Sequence, residues 1–472
     1  MKRFRLIAAT AAVAGLAGCA GPGPLATQPP AAPLQWYAPL PHNGTLADLS
    51  SWWRQFNDPL LIDLIAAAQA ASPTVATARS RIQQARTARV AAGAALLPTL
   101  DASAAAARGN SQPPVPLATT VQAGLQTAWE IDLFGANHGT ALATQSRWEG
   151  AQAGWHEARV SVAAETANSY VNLRTCQRQL ATADDDARSR AETARLAELS
   201  ARAGFTAPAD AALARASAAE GSARATQQRS QCDLDVKALV ALTALPEPGL
   251  RQQLAQGPAE TPSPAPVAVP SVPAAVLAQR PDVYQAEREV AAASAEVGSA
   301  QAQRFPRLTL SGSIAAGMIH TGGVSTDLQT WSIGPLALTL PLFDGGRRAA
   351  NVDAAQARYE EAAALYAARV RQAVREVEEA LVTLESARLR SEDAQVAQEG
   401  YRASFVATEA RYRSGLASLV ELEESRRTAL AAQTALVGLQ RERVAAWIAL
   451  YRALGGGWVR PDPALAAAAA HS

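Results

Sequence analysis

Two segments of the chain alternate apolar and polar residues with a period of two. The first is TVQAGLQTAWEIDL, residues 120–133, and the second covers residues 306–317. The apolar positions are Val121, Ala123, Leu125, Trp129 and Ile131, followed by Leu308, Leu310 and Ile314. The polar positions are Gln122, Gln126, Glu130 and Asp132, followed by Thr309, Ser311 and Ser313. Because successive side chains of a strand point to opposite faces, the pattern predicts amphipathic β-strands.

Such strands are compatible with two kinds of sheet. A soluble antiparallel sheet buries its apolar face against a core. A membrane β-barrel turns that face toward lipid and its polar face toward a water-filled lumen. The alternation alone does not separate these alternatives.

The remainder of the chain has the pattern of long helices. No proline occurs between Pro116 and Pro208, or between Pro341 and Pro461. Apolar residues recur at coiled-coil spacing at Val370, Val374, Val377, Leu381 and Leu384, and again at Leu430, Val437, Val444 and Tyr451. This spacing predicts helical hairpins packed along apolar seams. At RSGLAS, we expect Gly415 to end one helix and Ser418 to cap the next.

The chain repeats itself internally. LLPTLDAS at residues 96–103 resembles RFPRLTLS at residues 304–311, and EIDLFG resembles LPLFDG with an offset of 209 on the Leu-Phe pair. ARAGFTAPADAALAR, residues 201–215, matches residues 412–426. Nearly constant offsets predict a duplicated unit. We assign repeat 1 to residues 51–248, a Pro-rich linker to 249–274, repeat 2 to 275–458 and a disordered tail to 459–472.

The N-terminus has the features of an exported lipoprotein. Basic residues precede an apolar run that is too short to span a bilayer, as in a signal peptide. The run ends in LAGC, a lipobox that predicts cleavage after residue 18 and lipid on Cys19. Residues 19–50 then form a lipidated linker rich in Pro and Ala. The residue after the cysteine is Ala20, not an aspartate retention signal, which favours export to the outer membrane.

Composition and motifs argue against catalysis and nucleic-acid binding. The net charge is +1, which gives no electrostatic reason for a nucleic-acid partner. The chain contains no phosphate-binding loop, nucleophile elbow, zinc-protease motif or dinucleotide fingerprint. Its histidines are scattered, and the run Asp184, Asp185 and Asp186 is expected to lie on a solvated helix face. We therefore predict a protein that is not an enzyme, without a metal site or cofactor other than the lipid.

Each repeat has the same predicted order of one helix, two short strands and two very long helices, so the chain has four predicted strands. Four strands cannot close a barrel, and an open sheet edge is not tolerated in lipid. Three copies would supply twelve strands, enough for an aqueous channel. The lipoprotein signal favours this arrangement over the soluble sheet. The polar positions of the strands, including Asp132, would then face the lumen. The alternative is that Asp132 and Asp344 are helix caps or turn residues, which does not conflict with a channel.

The order of elements, the corners WEIDLFG and PLFDGG, and the repeated turn R-x-G-x-x-x-x-x-[DE] resemble the outer-membrane efflux proteins, a TolC- and OprM-like family. The lipobox is similar to that of its lipoprotein, NodT-type branch. The resemblance implies a homotrimer whose twelve-stranded barrel continues into an α-helical barrel in the periplasm. It also implies an exit duct for an inner-membrane pump of the RND type, joined through a periplasmic adaptor protein.

The resemblance also assigns a gate. In that family, acidic residues three apart line the periplasmic entrance, and Glu421 and Glu424 match those positions, with Arg427 nearby. The alternative is an ordinary exposed charge cluster paired with Arg427 or Arg413. Two other functions remain open, namely a periplasmic structural or adaptor coiled-coil lipoprotein and the outer-membrane component of a secretion system.

Two cysteines remain after the lipobox. Cys176 precedes Gly204 by 28 residues and Cys232 follows it by 28 residues. Residues equally far from a hairpin turn lie at the same height on the two helices, so these cysteines are a candidate disulfide in the oxidising periplasm. The alternative is two separate small hydrophobic side chains at helix contacts.

Overall fold

The computed structural model describes residues 33, 35–39, 49–110, 117–256 and 273–461. The expected signal peptide, Cys19, and most of both linkers and of the tail lie outside the described residues. The chain separates into two compact units. Among the described residues, unit 1 contains 79–153 and 284–369, and unit 2 contains the remainder.

Helices form most of the described chain, beginning with a short 3₁₀ helix at Leu49–Phe56. The α-helices are α1 (Pro59–Ala71), α2 (Pro73–Ala94), α3 (Ala136–Arg202), α4 (Pro208–Thr243), α5 (Glu247–Gln256), α6 (Pro273–Ala278), α7 (Pro281–Ala302), α8 (Arg347–Arg413) and α9 (Leu419–Ala453). Helix α5 covers the first residues of the expected 249–274 linker. The expected boundary therefore falls inside a helix.

Unit 1 contains one antiparallel sheet. Its strands are β1 (Thr99–Gly109), β2 (Ala118–Ile131), β3 (Arg307–Thr321) and β4 (Val324–Thr339), and they are paired in the order β1-β2-β3-β4. Gly322 and Gly323 connect β3 to β4 with φ angles of 57° and 86°, values that glycine adopts without a side-chain penalty. The pairing of β2 with β3 joins the two sequence repeats.

The sheet keeps the two faces that the alternation predicts. Register pairs Leu125 with Ile314 and Ile314 with Trp331, so apolar side chains of three strands share one face. This face is uncovered: Trp331 is 76% exposed and Ile333 is 86% exposed. A soluble sheet would bury this face against a core, and no described residue of unit 1 does so. An exposed apolar face of this kind is typical of a surface that contacts a membrane or another protein.

The two helical hairpins repeat each other closely. Helices α3 and α8 each contain 67 residues. They end at Gly204 and Gly415, whose φ angles are 79° and 74°. In both turns the N–H of the next residue donates to the carbonyl five positions earlier, from Phe205 to Ser200 and from Leu416 to Arg411. These are Schellman-type ends, and their recurrence supports the duplication.

The second helix of each hairpin starts differently. Ser418 forms a capping box with Glu421, in which each side chain accepts the other residue's backbone N–H. Ala207, at the equivalent position of the first hairpin, makes no side-chain cap, and Pro208 occupies the first helical position. Proline is favourable there because its missing N–H would have no helical partner.

The core of unit 2 contains the predicted seams. Val370, Val377, Leu381 and Leu384 are buried, as are Val437, Val444 and Tyr451, whereas Val374 and Leu430 are partly buried. Tyr451 stacks on the fully buried Trp52 with ring centroids 4.7 Å apart. The coiled-coil spacing was therefore a correct guide to the core.

Across the described residues no single helix has both the length and the hydropathy needed to cross a membrane. One bent pair, α1 with α2, meets that test by length and composition.

Candidate functional site

The polar face of the sheet is continuous across the strands. Register pairs Gln126 with Ser313 and Glu130 with Thr309. Gln122 and Ser311 lie on the same face, because each is an even number of residues from Gln126 or Ser313 along its own strand. These residues were predicted as lumen-facing positions, and the structure brings them to one surface.

Sequence inspection missed the contributions of β1 and β4 to this face. Gln126 Nε2 donates to Ser103 Oγ at 3.3 Å, and the hydroxyls of Ser313 and Ser332 lie 2.9 Å apart. Asp101 pairs with Gln126 in register and so lies on the same face. The Asp101-x-Ser103 alternation was a usable signal, but the alanine-rich continuation of β1 obscured it.

The two corner carboxylates cap helices. Asp132 Oδ2 accepts the backbone N–H of His138 at 2.6 Å, in the first turn of α3. Asp344 accepts the backbone N–H groups of Gly346 and Arg348 at the start of α8. The sequence left cap and lumen roles open for these residues. Strand β2 ends at Ile131, so Asp132 directly follows the strand. Its cap role is compatible with the predicted lumen-facing position, which stays a prediction.

The proposed gate carboxylates lie at the tip of the second hairpin. Glu421 and Glu424 are both exposed, and they share one helix face because they are three residues apart. The backbone N–H of Ser418 donates to Glu421 at 2.7 Å and lowers the pKa of that carboxyl below its ordinary value. Arg427 pairs with Glu424 and is itself exposed. Arg413 pairs instead with Glu409.

Beside these exposed groups lies a buried ionic cluster that sequence inspection missed. Glu423 accepts hydrogen bonds from Arg190, Ser217 and Arg426. Arg190 also pairs with Asp186 at 2.8 Å. The residues come from α3, α4 and α9, so one carboxylate links three helices of the two hairpins.

One member of this cluster, Asp186, corrects the interpretation of the aspartate run. The side chain of Asp185 is 71% exposed, as expected, but that of Asp186 is only 7% exposed. Asp186 was therefore wrongly placed on a solvated face. The arginine four residues later was the signal, because side chains at i and i+4 meet on a helix.

Arg426 is the most enclosed charge of the cluster. Its side chain is 3% exposed, and it donates to the hydroxyls of Ser189 and Thr193 at 3.1 Å each. Burial lowers the pKa of Arg426, because the charged form loses hydration. Glu423 is the one carboxylate paired with Arg426 in the described part of the chain.

Cys176 and Cys232 lie opposite each other on α3 and α4. The structure joins them as a disulfide, with Cα atoms 5.5 Å apart, a separation typical of such bonds. The equal spacing from Gly204 thus predicted correctly that the two cysteines lie at the same height. The packing of the helices turns their side chains toward each other, which the spacing alone does not determine. Elsewhere in the described residues, no group of three or more His, Cys, Asp or Glu side chains is arranged to hold a metal ion.

Known proteins are similar to this chain in sequence and in fold. Nodulation protein T of Rhizobium leguminosarum bv. trifolii is 29% identical over 417 residues, covering 86% of this chain and 88% of that protein. The pyoverdine export outer membrane protein OpmQ of Pseudomonas aeruginosa (strain PAO1) is 30% identical over 446 residues, covering 91% and 92%.

The fold matches a solved outer-membrane channel. The structure of the channel OprN superposes with a TM-score of 0.82 at 28% identity, covering 93% of this chain and 99% of that one. The sequence pattern of the family described as outer membrane efflux protein matches residues 64–245 and 272–456. Together with the exposed apolar sheet and the duplicated hairpins, this match shows that the chain belongs to the outer membrane efflux protein family.

Proposed function

We propose that this outer-membrane efflux protein works as the exit duct of a tripartite pump. Three copies combine their sheets into a twelve-stranded barrel, and their hairpins form the periplasmic α-helical barrel. A periplasmic adaptor and an inner-membrane pump of the RND type deliver the substrate. A signal peptide at residues 1–18 and lipid on Cys19 direct and anchor the chain. The alternative of a periplasmic adaptor lipoprotein leaves the apolar sheet face without a lipid to cover it.

The observation that carries this proposal is the two-faced, uncovered sheet. Its apolar face is suited to lipid and its polar face to water. Four strands bury neither face and leave two edges, and an edge in lipid would hold unsatisfied backbone groups. Assembly of copies removes both problems.

Hydrogen-bonding residues and carboxylates give the duct its chemistry. Gln122, Gln126 and Glu130 form a polar, hydrated lining of the duct. At the hairpin tips, three copies of Glu421 and Glu424 bring six carboxylates into one entrance, and a ring of carboxylates favours cations. Arg427 offsets part of the charge of Glu424.

Paired substitutions on neighbouring residues of β4 test the two faces. Ile333→Arg places a charge on the proposed lipid face, at a cost of about 2–4 kcal/mol near the bilayer midplane. Ser332→Arg places the same charge on the proposed lumen face. We expect the first variant to lose insertion into outer membranes and the second to insert as an open trimer.

Planar-bilayer recording of the purified protein gives the second measurement. Trimers with stable single-channel conductance are expected, and Ser332→Arg should shift their ion selectivity toward anions. A monomer in mild detergent that shows no conductance would contradict the proposed duct. Equal insertion of the two arginine variants into outer membranes would also contradict it.

A further inference from the structure

The sheet of one chain already contains an interface between its two repeats. Strand β2 of repeat 1 pairs with β3 of repeat 2, and this pairing sets Trp129 opposite Leu310. At the corner beyond these strands, Phe134 stacks on Phe305 with ring centroids 4.9 Å apart. Strand pairing and aromatic contact thus follow one register.

The internal repeat predicts an equivalent interface at the two open edges of the sheet. With the offset of 209, Leu338 occupies the place of Trp129 and Phe343 the place of Phe134. With the offset of 208, Ala102 occupies the place of Leu310 and Leu97 the place of Phe305. Within the described chain, β4 and β1 each pair on one side only.

The corner residues at these edges are uncovered. Phe343 is 94% exposed and Leu97 is 64% exposed, whereas the ring of Phe134 lies on Phe305. A fully exposed phenylalanine forfeits the free energy of burial, about 1.5–3 kcal/mol for a large apolar side chain. The second repeat therefore presents the aromatic half of a contact whose other half lies at the far edge of the same sheet.

In the barrel proposed above, β4 of each subunit pairs antiparallel with β1 of a second copy. We propose the register of this pairing, with Leu338 opposite Ala102 of the partner subunit. In that register Phe343 packs on Leu97 of the partner subunit, as Phe134 packs on Phe305. The proposal rests on the trimeric duct proposed above and specifies the residues that close it.

The two faces of the sheet provide an independent check of this register. Ala102 pairs with Leu125 on the apolar face, and Leu338 pairs with Leu308 on the same face. A shift by one residue would set an apolar side of one strand against a polar side of the other, because the side-chain period is two. A shift by two keeps the faces but separates Phe343 from the partner's Leu97.

A cysteine pair tests the register directly. Within one chain, β1 and β4 are separated by two strands, so the two strands lie roughly 14 Å apart at 4.7–4.9 Å per strand interval. Register places Ala102 level with Trp331, seven residues before Leu338 along β4, so the two positions are also displaced along the strands. A disulfide between Ala102→Cys and Leu338→Cys must therefore join two copies. We expect mild oxidation of the assembled double variant to give covalent dimers and trimers on non-reducing gels.

The control is Leu100→Cys with Leu338→Cys, on the same face but displaced by two residues. Diagonal positions lie about 7–8 Å apart between Cα atoms, beyond the reach of a relaxed disulfide. We expect at least tenfold less cross-linked product from this pair. Preferential cross-linking of the control in an intact, conducting trimer would contradict the proposed register but not the proposed duct. A protein that is monomeric before oxidation would overturn both proposals.

Alanine substitutions test the corner contact separately. Phe343→Ala should lower the temperature at which detergent-solubilised trimers dissociate. Leu342→Ala is the matched control, since Leu342 is 88% exposed and its repeat equivalent, Leu133, is still 54% exposed inside the chain. Equal dissociation temperatures for the two variants and the parent would overturn packing of Phe343 on the partner's Leu97.

Discussion

Replacement of Glu423 by alanine tests whether the buried ionic cluster holds the hairpin tips together. In the parent protein Glu423 is partnered by Arg190 and Arg426, whose side chains are 5% and 3% exposed. Removal of the carboxylate leaves two enclosed guanidinium groups with Asp186 as the only buried counter-charge among the described residues of the cluster. The cluster then carries one uncompensated positive charge.

The expected cost follows from the burial of these groups. Removing one partner of a buried ion pair destabilises by about 3–5 kcal/mol. The side chain of Glu423 is 18% exposed, so water can enter the vacated space and partly hydrate the arginines. We therefore expect about 3 kcal/mol, which corresponds to roughly a 100-fold change in a local opening equilibrium.

Amide hydrogen exchange measured by mass spectrometry is the appropriate assay, because it reports opening of individual segments. Peptides from the first turns of α9 and from α3 around Arg190 should exchange roughly 100-fold faster in Glu423→Ala, if exchange follows the opening equilibrium. Peptides from the sheet should be unaffected. Channel recordings of the same variant are expected to show a larger open fraction.

Two further variants make the reasoning refutable. Glu424→Ala removes a neighbouring carboxylate whose side chain is 57% exposed, and an exposed pair contributes less than about 1 kcal/mol. Glu423→Ala with Arg426→Met removes the uncompensated charge and should recover protection at the tip. Equal exchange in the Glu423 and Glu424 variants would refute the role of burial, and failure of the double variant to recover would refute the role of charge.

Two other predictions concern the hairpins. Denatured but unreduced protein should expose no free thiol at Cys176 or Cys232, and detection of both thiols before reduction would rule the bond out. Cys232→Ser should lower the free energy of unfolding by about 4 kcal/mol in the chain-entropy model for a loop of this length. Because the Ser418 N–H lowers the pKa of Glu421, this contact stabilises the tip above the ordinary carboxyl pKa and is lost as pH falls through the lowered value. Block of the channel by multivalent cations from the periplasmic side should therefore persist to below pH 4.5. Glu421→Gln should weaken this block at neutral pH. Unchanged block in that variant would show that Glu421 does not line the entrance.

Features with a local period were determined by the sequence itself. The alternation in residues 120–133 specifies which side chains of β2 share a face, because strand geometry repeats every two residues. The spacing of Val377, Leu381 and Leu384 specifies a buried helical stripe in the same way. The turns at Gly204 and Gly415 were predictable because each requires only local backbone chemistry.

Tertiary structure decided which groups from distant parts of the chain meet. Arg190 and Glu423 are separated by 233 residues, and no periodicity in either helix indicates that their shared surface is buried. The roles of Asp132 and Asp186 were likewise set by where a strand ends and by which helix covers a side chain. A sequence pattern constrains the face of one element, whereas burial and pairing of charges depend on the packing of several elements, which only the assembled fold determines.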